Sequence, residues 1–139
     1  MKKIFIDTNV IIDLLLKRDG YAEAALIMES GKQGIISLHA SVLTMANLAY
    51  ILRKELKGES LYQALRTISS LIHVTTLTDK DFQAAIELKA NDFEDALQYF
   101  CALSNNCECI ITRNEKDFSF SKIQVLSPKD FLTNLYPDK

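Results

Sequence analysis

Five short apolar runs lie along this chain, and most are separated by stretches long enough to be helices. They fall at residues 3–7, 35–38, 73–76, 108–112 and 124–126. The first, Lys3 to Asp7, is β-branched and apolar in the manner of a buried strand. Strands with helices between them imply parallel pairing through right-handed crossovers. That pattern constrains the chain to an α/β architecture, a central parallel sheet flanked by helices.

Local signals mark where the helices begin. Asp7, Thr8 and Asn9 can each cap a helix, so one is expected over residues 9–16, broken by Arg18-Asp19-Gly20. A second covers 21–31, with Ala25 and Met28 on one face, and Gly34 precedes the next strand. The segment 40–56 is apolar nearly all round and is closed by Gly58, which predicts a long, deeply buried helix. Ser60 with Gln63 reads as a capping box for the next helix, whose Leu61, Leu65, Ile68 and Ile72 share a face. Thr78 with Asp81 caps another, and Leu77 against Phe82 fits a hydrophobic staple. Asp92 or Asn91 opens a helix to about Asn105, and Ser127-Pro128 starts the last one with proline at its first position. No linker, repeat or low-complexity stretch interrupts the chain, so residues 1–139 are expected to form one domain.

Composition narrows the partners. The hydrophobic residues, 48% of 139, suffice for a core and argue against disorder. The formal charge of −2 gives no overall field toward nucleic acid, so any RNA would be held by a local patch. The three cysteines are odd in number, and Cys107 and Cys109 are too close for an easy bridge, which suits reduced thiols in a cytoplasmic protein. The start MKKIFIDTN has lysines before an apolar stretch, but Asp7 and Asn9 interrupt it too early for a signal peptide. No segment is long enough to span a membrane.

Ligands of open α/β sheets bind beyond the carboxyl ends of the strands. Asp7 ends the first strand, Arg113 to Asp117 follow the strand that ends at Thr112, and Asp92, Glu94 and Asp95 open the helix before it. Three separated stretches thus bring carboxylates to one sheet edge. Gathered carboxylates repel one another unless a cation lies among them. Oxygen donors without histidine or cysteine favour Mg²⁺ or Mn²⁺, and the chemistry such a site suits is water activation at a phosphodiester.

These stretches also carry a resemblance. IFIDTNVIIDLLLKR resembles the first motif of the PIN-domain family, DFEDALQYFCAL its central acidic motif, and CIITRNEKDF its closing Thr-Arg-Asp/Asn element; VLSPKDFL is similar to the end of such domains. The motifs occur in order over the full chain. The resemblance, toward the VapC-like toxin ribonucleases, implies a three-layer PIN-like domain that cleaves single-stranded RNA with Mg²⁺ or Mn²⁺. It further implies a small antitoxin partner and a homodimer. Carried over, Asp7 and Asp95 are metal-binding carboxylates, Asn9 holds the first loop, and Asn114 takes the fourth acidic position. Asp117 supplies a further charge to the metal, and Thr112 bonds a carboxylate or a metal-bound water. One departure stands out: the long helix of such nucleases carries a Glu where this chain has Asn47. The amide removes a full charge, and a charge pair at about 4 Å is worth about 4 kcal/mol at an effective dielectric of about 20. Weaker metal binding is expected.

Each of these residues also has a plainer use. Asp7 suits a helix cap, and the Asp-Thr-Asn context favours the site. Asp92 and Glu94 are explained by the positive end of a helix, whereas Asp95, followed by Ala96 and Leu97, is expected to face the cleft. Asn47 serves either beside the site or in a structural bond, and Asn114 and Asp117 either in the site or as turn residues and caps. Asp13 and Arg18 read as an ion pair or a surface contact, Arg53 as a solvated helix end or, with Arg113, a contact to RNA phosphates, and His39 and His73 as residues without chemistry. Two functional alternatives accompany the nuclease: a weakened PIN fold that binds RNA or protein without cleaving, suggested by neutral Asn47 and Asn114, and a receiver-like or phosphatase-like protein with Asp7 as nucleophile. The second lacks an Asp two residues beyond Asp7 and a suitable lysine after a later strand.

Overall fold

The strands form at Lys2–Ile6 (β1), Ile36–Ser41 (β2), His73–Thr75 (β3), Cys109–Ile111 (β4) and Gln124–Leu126 (β5) in the computed structural model, which describes residues 1–137. They pair in parallel in the order β3-β2-β1-β4-β5. The helices are Thr8–Leu15 (α1), Tyr21–Lys32 (α2), Val42–Leu52 (α3), Glu59–Leu71 (α4), Asp79–Leu88 (α5), Phe93–Ser104 (α6) and Pro128–Leu135 (α7), with a 3-10 turn at Glu115–Phe118.

Strand alternation divides the apolar side chains between two layers. Ile4, Ile6, Leu38, Cys109 and Ile111 pack with Val10 and Ile11 of α1, Ile27 of α2, Leu48 of α3, Ile68 of α4 and Phe131 of α7. Phe5 and Ile110 face the other way, onto Tyr99, Cys101 and Ala102 of α6 and onto Phe118. Helix α5 lies against α6. The chain lays down β1, β2 and β3 in one direction and then returns past β1 to place β4 and β5. Right-handed crossovers therefore put α5 and α6 on the face opposite the earlier helices. The reversal lies between β1 and β4, where a cleft opens beyond the strand ends in such sheets.

Most expected elements form, with differences of physical interest. Strand β2 runs on to Ser41 because Ala40 and Ser41 pair with Val74 and Thr75 of β3. Ser41 then caps α3 through a capping box with Thr44, so the helix starts at Val42 rather than at residue 40 and stops at Leu52. Helix α3 is not deeply buried. Thr44, Leu48 and Leu52 are enclosed, whereas Val42, Tyr50 and Ile51 are exposed, because only one stripe finds partners. Gly58, not Ser60, stands at the start of α4, and it makes no side-chain cap bond. The box of Thr78 and Asp81, the cap Asp92 and the leading Pro128 are all present. The rings of His39 and His73, distant in sequence, stack 4.9 Å apart because β2 and β3 place them side by side. Cys101, Cys107 and Cys109 are free and buried, and burial pushes the Cys107 and Cys109 thiols up to about 12.

Candidate active site

Asp7 leaves β1 in extended conformation and caps α1, with Oδ1 accepting from the Thr8 backbone N–H at 2.8 Å. Cap and site readings are thus compatible, because Oδ2 points elsewhere: it accepts from the Thr112 hydroxyl at 2.8 Å and from the Asn9 amide at 3.3 Å. Thr112, fully buried at the end of β4, also accepts from the Asn114 N–H at 3.0 Å. Asn9 bridges the two loops at the switch point, since its Nδ2 also donates to Thr112 Oγ1 at 3.4 Å and its Oδ1 accepts from the Arg113 N–H at 3.3 Å. Asn9 thus ties the loop after β1 to the loop after β4, and the side chain that accepts from Thr112 is the Asp7 carboxylate.

Around this brace a cleft of about 290 Å³ is lined by Asp7, Asn9, Asp92, Glu94, Asp95, Asn114 and Asp117, together with Arg18 and Arg113 and the apolar Ile12 and Ile51. Asp95 lies in the first turn of α6, its backbone N–H held by the cap Asp92 at 3.1 Å. Asp117 lies on the 3-10 turn, tied to Asn114 through its backbone at 3.0 Å. Four sequence-predicted residues, Asp7, Asp95, Asn114 and Asp117, therefore line one cleft.

Electrostatics shows how closely the acids share that space. Burial, and then the charges of Asp92, Asp7, Asp117 and Glu94, push the Asp95 carboxyl up to about 7. Burial also raises Asp7, against the hydrogen bonds from Thr112 and Thr8 that favour its charged form. Glu94 is raised by burial, partly offset by a hydrogen bond from Asn47, with Asp92 and Asp7 raising it further.

Three further arrangements bear on the sequence reading. Asp13 pairs with Arg113, not Arg18: its Oδ2 lies 3.2 Å from Arg113 Nε, and the carboxylate is nearly fully buried. Gly20, with φ of 92°, lets the chain fold over it, since a Cβ there would lie 2.9 Å from Asp13 Oδ2. Arg53 lies over the Tyr50 ring and bonds the Tyr50 carbonyl, outside the cleft. Glu94, assigned from sequence to the helix end alone, lines the cleft and accepts from Asn47 Nδ2 at 2.7 Å. The signal for it was Asn47 itself, a polar residue in an apolar helix that needed a partner.

A family model describing the PIN domain matches residues 3–116, and the chain belongs to the PIN domain family. It is similar to Ribonuclease VapC1 of Aquifex aeolicus (strain VF5), 27% identical over 139 residues that cover 94% of this chain and 93% of that protein. It shares its fold with VapBC-1 from nontypeable Haemophilus influenzae, with a TM-score of 0.71, 19% identity and coverage of 91% of this chain and 98% of that one. A toxin-antitoxin complex from Klebsiella pneumoniae aligns with a TM-score of 0.69, 23% identity and coverage of 90% and 97%. At such identities the two structures show the fold.

The donor chemistry of the cleft fits a hard divalent cation. Its donors are carboxylate and amide oxygens, and burial together with the neighbouring acids pushes the Asp95 carboxyl up to about 7. Among the described residues, no three acidic, histidine or cysteine side chains already stand close enough together to enclose a metal ion.

Proposed function

We propose that this chain, as one domain over residues 1–139, is a Mg²⁺- or Mn²⁺-dependent endoribonuclease that cleaves single-stranded RNA and acts as the toxin of a toxin–antitoxin pair. The observation that carries this reading is the charge of the cleft: five carboxylates face two guanidiniums at the topological switch point. A polyanion meets repulsion there unless a cation offsets it, so a phosphodiester substrate and a metal go together. Asp7, Asp95 and Asp117 would hold the ion, with Asn114 offering an amide oxygen in the fourth acidic position. Bound there, such an ion would supply water activation and charge neutralisation at the phosphodiester.

The chain's own residues prepare the site. Thr112 and Asn9 fix one oxygen of Asp7 and the Thr8 N–H fixes the other, so this carboxylate does not need to reorganise. Arg18 and Arg113 stand at the cleft wall, where RNA phosphates would pass. The Arg113–Asp13 pair keeps that guanidinium in place. A cytoplasmic location, a homodimer and a small antitoxin partner belong to the same reading. Its further support is that the Aquifex relative is named a ribonuclease and that the Klebsiella neighbour is a toxin-antitoxin complex. Among the described residues no helix is long and apolar enough to cross a membrane.

A second reading, a PIN fold that binds RNA or a protein without cleavage, is favoured by one observation: Asn47 and Asn114 are neutral at positions where the resemblance implies acids. Incubating purified protein with a mixed single-stranded RNA pool separates the two. The nuclease reading predicts fragments with Mn²⁺ or Mg²⁺ that EDTA prevents. RNA left intact with both metals, yet retained by the protein, supports the binding module instead.

A further inference from the structure

Asn47 stands on α3 at the position where the resemblance implies an acid, yet it does not line the cleft; its hydrogen-bond partner Glu94 does. The 2.7 Å contact between Asn47 Nδ2 and Glu94 Oε2 joins α3 to the first turn of α6 across 47 residues of chain. Ile51, one turn after Asn47 on the same helix, forms part of the cleft wall. The α3 face at this end is therefore directed at the cleft, with Glu94 reaching into it from α6.

We propose that Glu94 is the carboxylate that α3 does not supply, and that Asn47 is a positioning residue that aims it. This rests on the metal-dependent nuclease reading above. The chemistry of the pair is matched. An amide can donate to a carboxylate, whereas a second carboxylate at position 47 would oppose Glu94 at contact distance. A neutral residue on α3 is thus the complement of an acid on α6, and the number of charges around the site is kept. It follows that adding an acid at position 47 alone weakens the site rather than repairing it.

The test is titration of the full-length protein with Mn²⁺, following free Mn²⁺ by electron paramagnetic resonance, which needs no RNA and no turnover. Glu94→Gln is expected to weaken Mn²⁺ binding at least about tenfold, the range found when groups supporting a metal are lost. Asn47→Glu is expected to weaken it as well. The double variant Asn47→Glu/Glu94→Gln, which moves the charge from α6 to α3, is expected to recover to within about threefold of wild type, because the two positions are coupled. A purely structural role for Asn47 would not produce that recovery. Asp7→Asn keeps the two levels apart. If Asp7→Asn loses Mn²⁺ while Glu94→Gln binds like wild type, or Asn47→Glu alone binds more tightly, the role of Glu94 is overturned and the metal site stands. If Asp7→Asn binds like wild type, the metal site itself fails, and this inference with it.

Discussion

The hydroxyl of Thr112 donates to Asp7 Oδ2 at 2.8 Å, joining residues that lie 105 positions apart at the ends of the neighbouring strands β1 and β4. The bond fixes the carboxylate at the point where the sheet reverses its order, and the same oxygen of Thr112 also receives the Asn114 N–H at 3.0 Å. Replacing Thr112 by Val removes both, along with the weaker bond the hydroxyl accepts from Asn9 Nδ2 at 3.4 Å. Leaving buried partners short costs about 1–3 kcal/mol. At about 4 °C per kcal/mol for a chain of this size, Tm is expected to fall by roughly 4–12 °C. RNA cleavage should fall further than stability explains, and thermal unfolding beside a cleavage assay at 20 °C below Tm checks this.

The pair formed by Arg113 and Asp13 gives a second prediction. Arg113→Met leaves a buried carboxylate without its partner, a change that costs about 3–5 kcal/mol in comparable cases. Burial already raises the Asp13 carboxyl, and Arg113 is the largest influence holding it down. Without Arg113 its folded pKa rises further above the unfolded value, so the native state retains a proton the unfolded chain releases. The loss of stability is therefore greater at pH 8 than at pH 5. Urea unfolding of both proteins at the two pH values measures it; an equal loss at both would place the effect in packing rather than charge.

Asp95 predicts an opposition between stability and function. Its folded pKa, about 7, lies above the unfolded value of about 3.9. Between those values the native state binds more protons, so this group's contribution to stability grows as pH falls through 7 and is lost as pH rises through it. Asp95→Asn removes that dependence. In EDTA at pH 8 the variant is expected to melt a few degrees above wild type, with the difference vanishing near pH 4. Calorimetry across that range checks the sign.

The cysteines should be silent in the folded protein. All three are buried, and the Cys107 and Cys109 thiols are pushed up to about 12 by burial. The thiolate is the reactive species, so a thiol-specific disulfide reagent at pH 8 is expected to label the native protein slowly and all three cysteines rapidly in urea. Fast labelling of the native chain would contradict their burial.

What was legible in the sequence was local. The run ending at Asp7, the capping box at Thr78 and Asp81, and the proline after Ser127 each carry their signal within a few residues, and each element formed. The cleft was legible because strand ends sit together in a parallel sheet, which puts Asp7, Asp95, Asn114 and Asp117 at one edge. What was not legible depends on partners far along the chain. Asp13 found Arg113 rather than the nearer Arg18, and Asn47 found Glu94. Helix α3 is apolar on most sides, but pattern alone does not say which stripe meets the sheet, and Tyr50 and Ile51 remain exposed. The stack of His39 on His73 follows from the register between β2 and β3, which no local motif encodes.

The most direct test is single-turnover cleavage of a short unstructured RNA with Mn²⁺, comparing wild type with Asp95→Asn. The variant is expected to be folded and, without metal, more stable than wild type, so a loss of activity cannot be ascribed to unfolding. The account predicts a fall of at least about a hundredfold, in keeping with several kcal/mol of charge stabilisation at a metal site. Cleavage by Asp95→Asn at the wild-type rate would contradict an acidic, metal-dependent site in this cleft.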